Sequence, residues 1–301
     1  MPQVWLNGQF VQENEAGVSL RDAGLLHGAG VFTTMRSRAG KVFRLDAHLR
    51  RLRNSCEALF IPLQYKDEVL VHAALELLAR NQLTAARLRL TVTRGAVSQD
   101  PLHGTRVEPN VFLTAAQLDP YPEEYYRKGL TVILLDEQKL NPYDIQAGHK
   151  TLDYLSRLSA LREANRRQAG EALWFNVHNY LQSGSISNVF VVKDGRLFTP
   201  PTAGEMREQQ VARDIPYSRS NVLPGITRAA VIELAGANSL AVETAAVDVN
   251  RLLDADEVFL TNSIMQIMPV CRIERKQIGQ DKPGPVTITL IEKFDRLVSG
   301  A

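Results

Sequence analysis

The chain has 301 residues with 35 basic and 33 acidic side chains, a net charge of +2 and 45% hydrophobic residues. Near-balanced charge argues against nucleic acid or an anionic membrane surface as partner, and the length predicts a sizeable core in one large domain or two. Cys56 and Cys271, far apart, argue against a disulfide framework or a Cys-rich metal site and suit a reducing cytoplasm, while the opening MPQVWLNGQF lacks the features of a signal peptide and no apolar run nears the ~20 residues that span a bilayer.

The first element is a predicted hairpin, VWLNGQFV, turning at Asn7-Gly8, a dipeptide suited to a two-residue type I′ turn. A glycine-spaced stretch from Gly24 to Gly30 leads into VFTTMRSRAGKVFRL, a second hairpin turning at Ala39-Gly40. Leu49, Leu52, Cys56 and Leu59 fall on one helical stripe, which predicts a helix over 46–60, and a second helix follows over about 67–81. RLRLTVTRG is a strand with Arg87, Arg89, Thr91 and Thr93 on one face and Leu88, Leu90 and Val92 on the other. The polar, aromatic DPYPEEYYRKG at 119–129 is predicted to connect two domains, 1–120 and 130–301, through a linker at 121–129. Beyond it come a strand at 130–135, a helix over 151–168 capped by Thr151 and buried through Leu152, Leu155, Leu158 and Leu161, and a strand near 173–177. A hairpin pivots on Asp194-Gly195, a long loop covers 200–220, and LPGITRAAVIELAG predicts a turn and a helix stopped at Gly236. A final strand lies in EVFLTNSIMQIMPV. The mixture predicts an α/β or α+β protein.

Lys150, at the expected mouth of a helix, is either a solvated lysine or an amine held in a cleft, where burial or a neighbouring cation would lower its pKa and let it form a Schiff base with a carbonyl. In LPGITR, Gly225 permits close approach and the amides of Ile226 and Thr227 can offer a phosphate site at a helix start; by themselves these residues favour the alternative, an ordinary Pro-Gly turn. Arg51 can add a permanent positive charge to a phosphate or belong to a solvated face with Arg50 and Arg53. Arg87, Arg89 and Arg94 either clamp a carboxylate or face solvent. The six histidines show no metal-ligand spacing, and Ser183, Ser185 and Ser187 lack a G-x-S-x-G elbow, so neither a metal site nor a serine hydrolase is expected.

Together HGAGVFTTMR, RLDAHLRRL, GHKTLDYL, YLQSGSISNVFVVKDGRLFTP and NVLPGITRAAVIELA resemble, in order, the motifs of the fold-type IV pyridoxal phosphate enzymes, the class IV aminotransferase family. The resemblance implies a small N-terminal α/β domain, a larger C-terminal domain, pyridoxal 5'-phosphate between them and a cytoplasmic homodimer. It implies that Lys150 carries the cofactor and shuttles the substrate proton. By the same resemblance Arg51, Ile226, Thr227 and Ser263 hold the phosphate, Tyr154 bonds the cofactor's phenolic oxygen, and Thr33, Arg89, Arg94 and Asn262 face the substrate. The hairpin signature normally carries glutamate directly before its glycine, paired with the cofactor's ring nitrogen; here Ser183 precedes Gly184, and a neutral hydrogen bond there weakens the electron sink. Ala29 and Thr33 also replace acidic residues often found in the early motif.

FTTMR, LTVTRG and TNSIMQIMPV resemble most the aminodeoxychorismate lyase branch, which implies elimination of pyruvate to leave 4-aminobenzoate for folate biosynthesis. The alternatives are an aminotransferase for branched-chain or D-amino acids and a catalytically weakened homologue that keeps the cofactor.

Overall fold

The computed structural model describes residues 1–96, 108–213 and 219–300. They form two compact units, Met1–Asp119 with His149–Tyr154, and Pro120–Gly148 with Leu155–Ala301.

The first unit contains β1 (Gln3–Leu6), β2 (Gln9–Gln12), α1 (Ala23–His27), β3 (Gly30–Arg38), β4 (Lys41–Val42), α2 (Leu45–Ala58), α3 (Asp67–Arg80), β5 (Ala86–Thr93) and β6 (Val111–Gln117). Its antiparallel sheet has the order β2-β1-β6-β5-β3-β4. Asn7 and Gly8 both take positive φ (48° and 94°), as a type I′ turn requires, and Ala39 and Gly40 repeat the arrangement. Strand alternation decides which residues meet the helices. Val31, Met35, Leu88, Leu90 and Leu113 share a core with Leu49 and Leu52 of α2 and Leu77 of α3. Phe32, Thr34, Arg89 and Thr91 alternate with them on the sheet's opposite face.

The second unit contains α4 (Glu123–Lys128), β7 (Leu130–Leu140), α5 (Leu155–Arg166), β8 (Glu171–Asn176), β9 (Leu181–Gly184), β10 (Asn188–Lys193), β11 (Arg196–Thr199), α6 (Ala203–Arg213), α7 (Ile226–Ala237), β12 (Val242–Thr244), α8 (Val249–Leu253), β13 (Glu257–Asn262), β14 (Gln266–Ile273), β15 (Lys276–Gln277) and α9 (Pro285–Ser299). Its mixed sheet runs β12-β11-β10-β13-β14-β7-β8-β9, with β15 added to β14. Leu173, Phe175, Val189, Val191, Val258, Leu260 and Met268 form its core, and the Asp194-Gly195 turn joins β10 to β11 as expected. Among the described residues no helix is long and apolar enough to cross a membrane.

Four expectations are corrected. The supposed linker 121–129 holds α4, and Tyr121 and Tyr126 pack on the second unit's core. The helix expected from Thr151 starts at Leu155, and its leucine stripe is not the buried face: Leu155 and Leu158 are 74% and 55% exposed, whereas Ala160 and Ala164 are buried against Ile133 and Trp174. Small side chains let the helix backbone approach the sheet. The expected loop at 200–220 contains α6; residues 214–218 lie outside the described part. Gly236 sits inside the last turn of α7, which ends at Ala237, followed by Ser239 at φ 58°.

Candidate active site

In the first unit, residues 150–152 form no part of a helix. Phe32 donates its amide to the Lys150 carbonyl (2.9 Å), Leu152 donates to the Gly30 carbonyl (2.8 Å), and Val31 and Thr151 form a bridge, so the lysine's backbone lies along the edge of β3. Gly30 makes this possible: a Cβ there would lie 2.5 Å from Leu152 Cδ1. The Lys150 side chain donates from Nζ to the Tyr154 hydroxyl (3.2 Å) and lies 4.7 Å from the centroid of Phe32, whose ring meets Tyr154 edge-on at 5.4 Å. Arg89 places its guanidinium carbon 3.5 Å from the same Phe32 centroid and donates Nε–H to the Thr91 hydroxyl (3.3 Å). Burial, and then the charge of Arg87, lower the Arg89 pKa. One aromatic ring is therefore flanked by a primary amine and a guanidinium.

Behind β3, Arg51 donates to the Thr33 hydroxyl (3.0 Å), which lies 2.7 Å from His48 Nδ1. Arginine only donates, so the Thr33 hydroxyl accepts from it, and a neutral His48 completes the Thr33 contact with Nδ1 as either donor or acceptor. Burial favours that neutral form: it lowers the His48 pKa well below the usual 6.5, assisted by the charges of Arg51 and Lys150, and it pulls Arg51 down to about 10. Thr33 is completely buried with its hydroxyl engaged, so its geometry suits holding Arg51 rather than the substrate contact expected for it. Beside the lysine, His149 Nδ1 lies 2.9 Å from the Ser55 hydroxyl of α2. Arg94 is exposed just past β5, its amide bonded to the Ala29 carbonyl.

His48 gives the fold a pH dependence. Because its folded pKa is depressed, the unfolded chain binds more protons below about pH 6.5, so this contribution to stability is present above that value and lost as pH falls toward the folded pKa. Denaturant unfolding between pH 7 and 5 is expected to show a shallower loss of stability in His48→Gln than in the wild type; equal slopes refute the assignment.

In the second unit, α7 starts at Gly225 with no side-chain cap, leaving the first-turn amides, including those of Ile226 and Thr227, without that partner. Gly225 admits no side chain, since a Cβ would fall 2.0 Å from Asn188 Oδ1, and Asn188 donates to the Leu223 carbonyl (3.0 Å). An uncapped helix start with a bare backbone fits an anion such as phosphate. Ser183, on β9, is buried, and its hydroxyl makes no hydrogen bond among the described residues; the Thr261 hydroxyl on β13 is in the same condition. A buried hydroxyl without a protein partner is the kind of group that a polar ligand satisfies.

The turn after Ser183 is rigidly built. Glu171 Oε1 accepts from the amides of Ala172 and Ser185, and Oε2 from the Ile186 amide and the Ser187 hydroxyl, at 2.9–3.2 Å. Burial raises the Glu171 pKa, opposed by those four bonds. Arg157 donates to the carbonyls of Ser185 (2.9 Å) and Gly184 (3.3 Å). Asn262, expected at the substrate, has its Oδ1 accepting from the amides of Ile264 and Met265, and its amide reaches the Ile186 carbonyl (3.3 Å). Ser263 sits half-buried in the turn that Asn262 organises.

Sequence reading passes over Phe32, His48 and Glu171. His48 and Arg51 are three apart, a spacing that puts both on one helix face, where both reach Thr33. Phe32 alternates with Val31 and Thr33, which marks it for the opposite face. No local signal marks Glu171, because its partners lie across a turn.

Comparison with known proteins shows the family of the chain. Residues 30–273 match the profile of the amino-transferase class IV family. The chain belongs to that family. It is 33% identical over 294 residues to a putative branched-chain-amino-acid aminotransferase of Methanocaldococcus jannaschii, covering 97% of this chain and 95% of that protein. A D-alanine aminotransferase of Bacillus licheniformis is 30% identical, with 95% and 93% covered. Among solved structures, the Escherichia coli branched-chain amino acid aminotransferase superposes with a TM-score of 0.89 at 29% identity, covering 99% of this chain and 95% of that one. A T.th. branched-chain amino acid aminotransferase, solved with pyridoxamine 5'-phosphate, superposes at 0.87 and 28%, with 99% and 94% covered. A putative 4-amino-4-deoxychorismate lyase from Legionella pneumophila shares the fold, at 0.80 and 22% with 94% and 96% covered.

Proposed function

We propose that this class IV family member is a pyridoxal 5'-phosphate-dependent aminotransferase acting on a small amino acid. The observation that carries this reading is the Phe32 ring flanked by Lys150 at 4.7 Å and Arg89 at 3.5 Å, which suits a ligand with an amino group beside a carboxylate. The lyase expected from the substrate-side motifs becomes the second reading. The relatives at 30% identity or more are aminotransferases, and the lyase-like neighbour supports the fold alone.

Bound pyridoxal phosphate supplies an aldehyde that condenses with amines and a ring that takes up electron density. Around it, this chain's residues have separate tasks. Lys150 would hold the aldehyde through its Nζ amine and, once the substrate's amino group has displaced it, would take the α-proton and deliver it to the cofactor side rather than back to the α-carbon. Tyr154, in hydrogen-bond reach of that amine, would keep it oriented and, by the family resemblance, would bond the cofactor's phenolic oxygen. The amides of Ile226 and Thr227, with Ser263, would hold the phosphate, and the family resemblance implies that Arg51 would add its fixed charge. Arg89 takes the substrate carboxylate, and the exposed Arg94 is available to the same group. Ser183 offers the ring nitrogen a neutral hydroxyl. We include the cytoplasmic homodimer implied by the resemblance; the exposed Leu25 and Leu26 of α1 support an assembly contact.

One assay separates the readings. Turnover of branched-chain L-amino acids or D-alanine is expected only when an α-keto acid acceptor is added. Release of pyruvate from aminodeoxychorismate without an acceptor selects the lyase, and bound cofactor with neither activity selects the weakened homologue.

A further inference from the structure

The segment expected as a loop at 200–220 places α6 against the start of α7, and a single ion pair makes the connection. Arg228, third residue of α7 and 3% exposed, donates Nη1–H to Glu205 Oε1 (2.9 Å) and Nη2–H to Glu205 Oε2 (2.8 Å). Its other donors reach the Pro200 carbonyl (3.1 Å) and the Thr199 hydroxyl (3.3 Å). Glu205 in turn closes a capping box on α6: the Thr202 hydroxyl accepts from the Glu205 amide (3.3 Å), and Glu205 Oε2 accepts from the Thr202 amide (2.7 Å) and hydroxyl (3.0 Å). Burial alone would raise the Glu205 pKa, but the Arg228 and Thr202 contacts together outweigh it and hold the carboxyl below its ordinary value.

A guanidinium in the first turn of a helix opposes the helix dipole, so this position needs an explanation. Arg228 is not placed as a free cation for a ligand, because its donors are engaged by Glu205, Thr199 and Pro200. The engaged guanidinium instead ties the first turn of α7 to the end of β11 and to α6, while Asn188 fixes the preceding turn through Leu223.

We propose that Glu205 and Arg228 are positioning residues for phosphate binding: the pair sets the orientation of the α7 amino terminus, so that α6 controls how tightly the cofactor's phosphate is gripped. This inference rests on the cofactor reading above. A bidentate pair that fixes a helix end preorganises the amides of Ile226 and Thr227.

The test compares pyridoxal phosphate with pyridoxal, which lacks the phosphate, by absorbance titration of the full-length apoprotein. Glu205→Gln is expected to weaken pyridoxal phosphate binding by about tenfold while leaving pyridoxal binding unchanged, because only the phosphate meets the displaced amides. Arg228→Lys, which keeps the charge but loses the bidentate geometry, is expected to act in the same direction. Unchanged affinities, or an equal loss for both ligands, overturn the proposal and leave the pair a stabilising contact. If Glu205→Gln does not fold, Arg228→Lys and Glu205→Asp carry the comparison under the same criteria. A wild type that binds neither compound refutes the cofactor reading itself, an outcome distinct from wild-type binding with unaffected variants.

Discussion

Lys150→Ala is expected to abolish the visible absorbance that pyridoxal phosphate acquires on the wild-type protein and to slow turnover by at least about 10³-fold, since in the proposed function one amine both holds the aldehyde and moves the substrate proton. The structure makes this a clean experiment. What fixes residue 150 is its backbone, through the bond from the Phe32 amide and the neighbouring Leu152–Gly30 bond, so alanine removes the amine without removing the strand contact. Far-UV circular dichroism and the unfolding midpoint should therefore match the wild type. Lys150→Arg should fail equally, because a guanidinium stays protonated and does not attack a carbonyl. A coloured, active Lys150→Ala protein would refute the role assigned to this lysine.

Glu171→Leu is expected to produce the largest loss of stability of any single change in the second unit, about 3–5 kcal/mol, with each stranded donor costing roughly 1–3 kcal/mol. The carboxylate is 2% exposed and receives the amides of Ala172, Ser185 and Ile186 and the hydroxyl of Ser187. Leucine fills the volume but leaves the Ser185 and Ile186 amides and the Ser187 hydroxyl without an acceptor. Glu171→Gln should recover part of the loss, since its carbonyl still accepts while its amide group points donors at donors. Urea unfolding monitored by tryptophan fluorescence reports the change through Trp174, whose indole donates to the Ser185 hydroxyl at 3.0 Å. A loss under about 1 kcal/mol for the leucine variant would show that the turn finds other partners.

How far the sequence can be read depends on whether the relevant force is local. The turns at Asn7-Gly8 and Asp194-Gly195 are legible because positive φ is a property of the turn residues themselves. Strand β5 is legible because Leu88, Leu90 and Val92 alternate with polar neighbours. Lys150 emerges from motif resemblance, yet its setting does not: GHKTLDYL has helical spacing, while tertiary bonds to β3 draw 150–152 into a strand. The leucines that follow mislead in the same way, because periodicity finds a stripe but does not say which face a sheet will cover. AGEMREQQ at 203–210 consists largely of good helix formers, and Thr202-x-x-Glu205 is a capping box; the neighbouring prolines mask a helix whose signal is present. Thr33 and Asn262 show a further limit. Both stand in motifs shared with the family, but their hydrogen bonds hold other protein groups, and position in a motif does not distinguish a residue that touches a ligand from one that holds its neighbour.

The assignment of residues 149–154 to the first unit has a consequence for anyone who cuts or recombines this gene. A fragment ending at Asp119 would lose the lysine and would also expose the backbone of β3 at residues 30–32, an open sheet edge of the kind that recruits other chains into aggregates. Chimaeras between relatives that exchange the first unit would have to carry a short piece from the middle of the chain, His149 to Tyr154, together with the amino-terminal segment. Inheritance of the Lys150 amine and inheritance of a properly closed sheet are thus the same event.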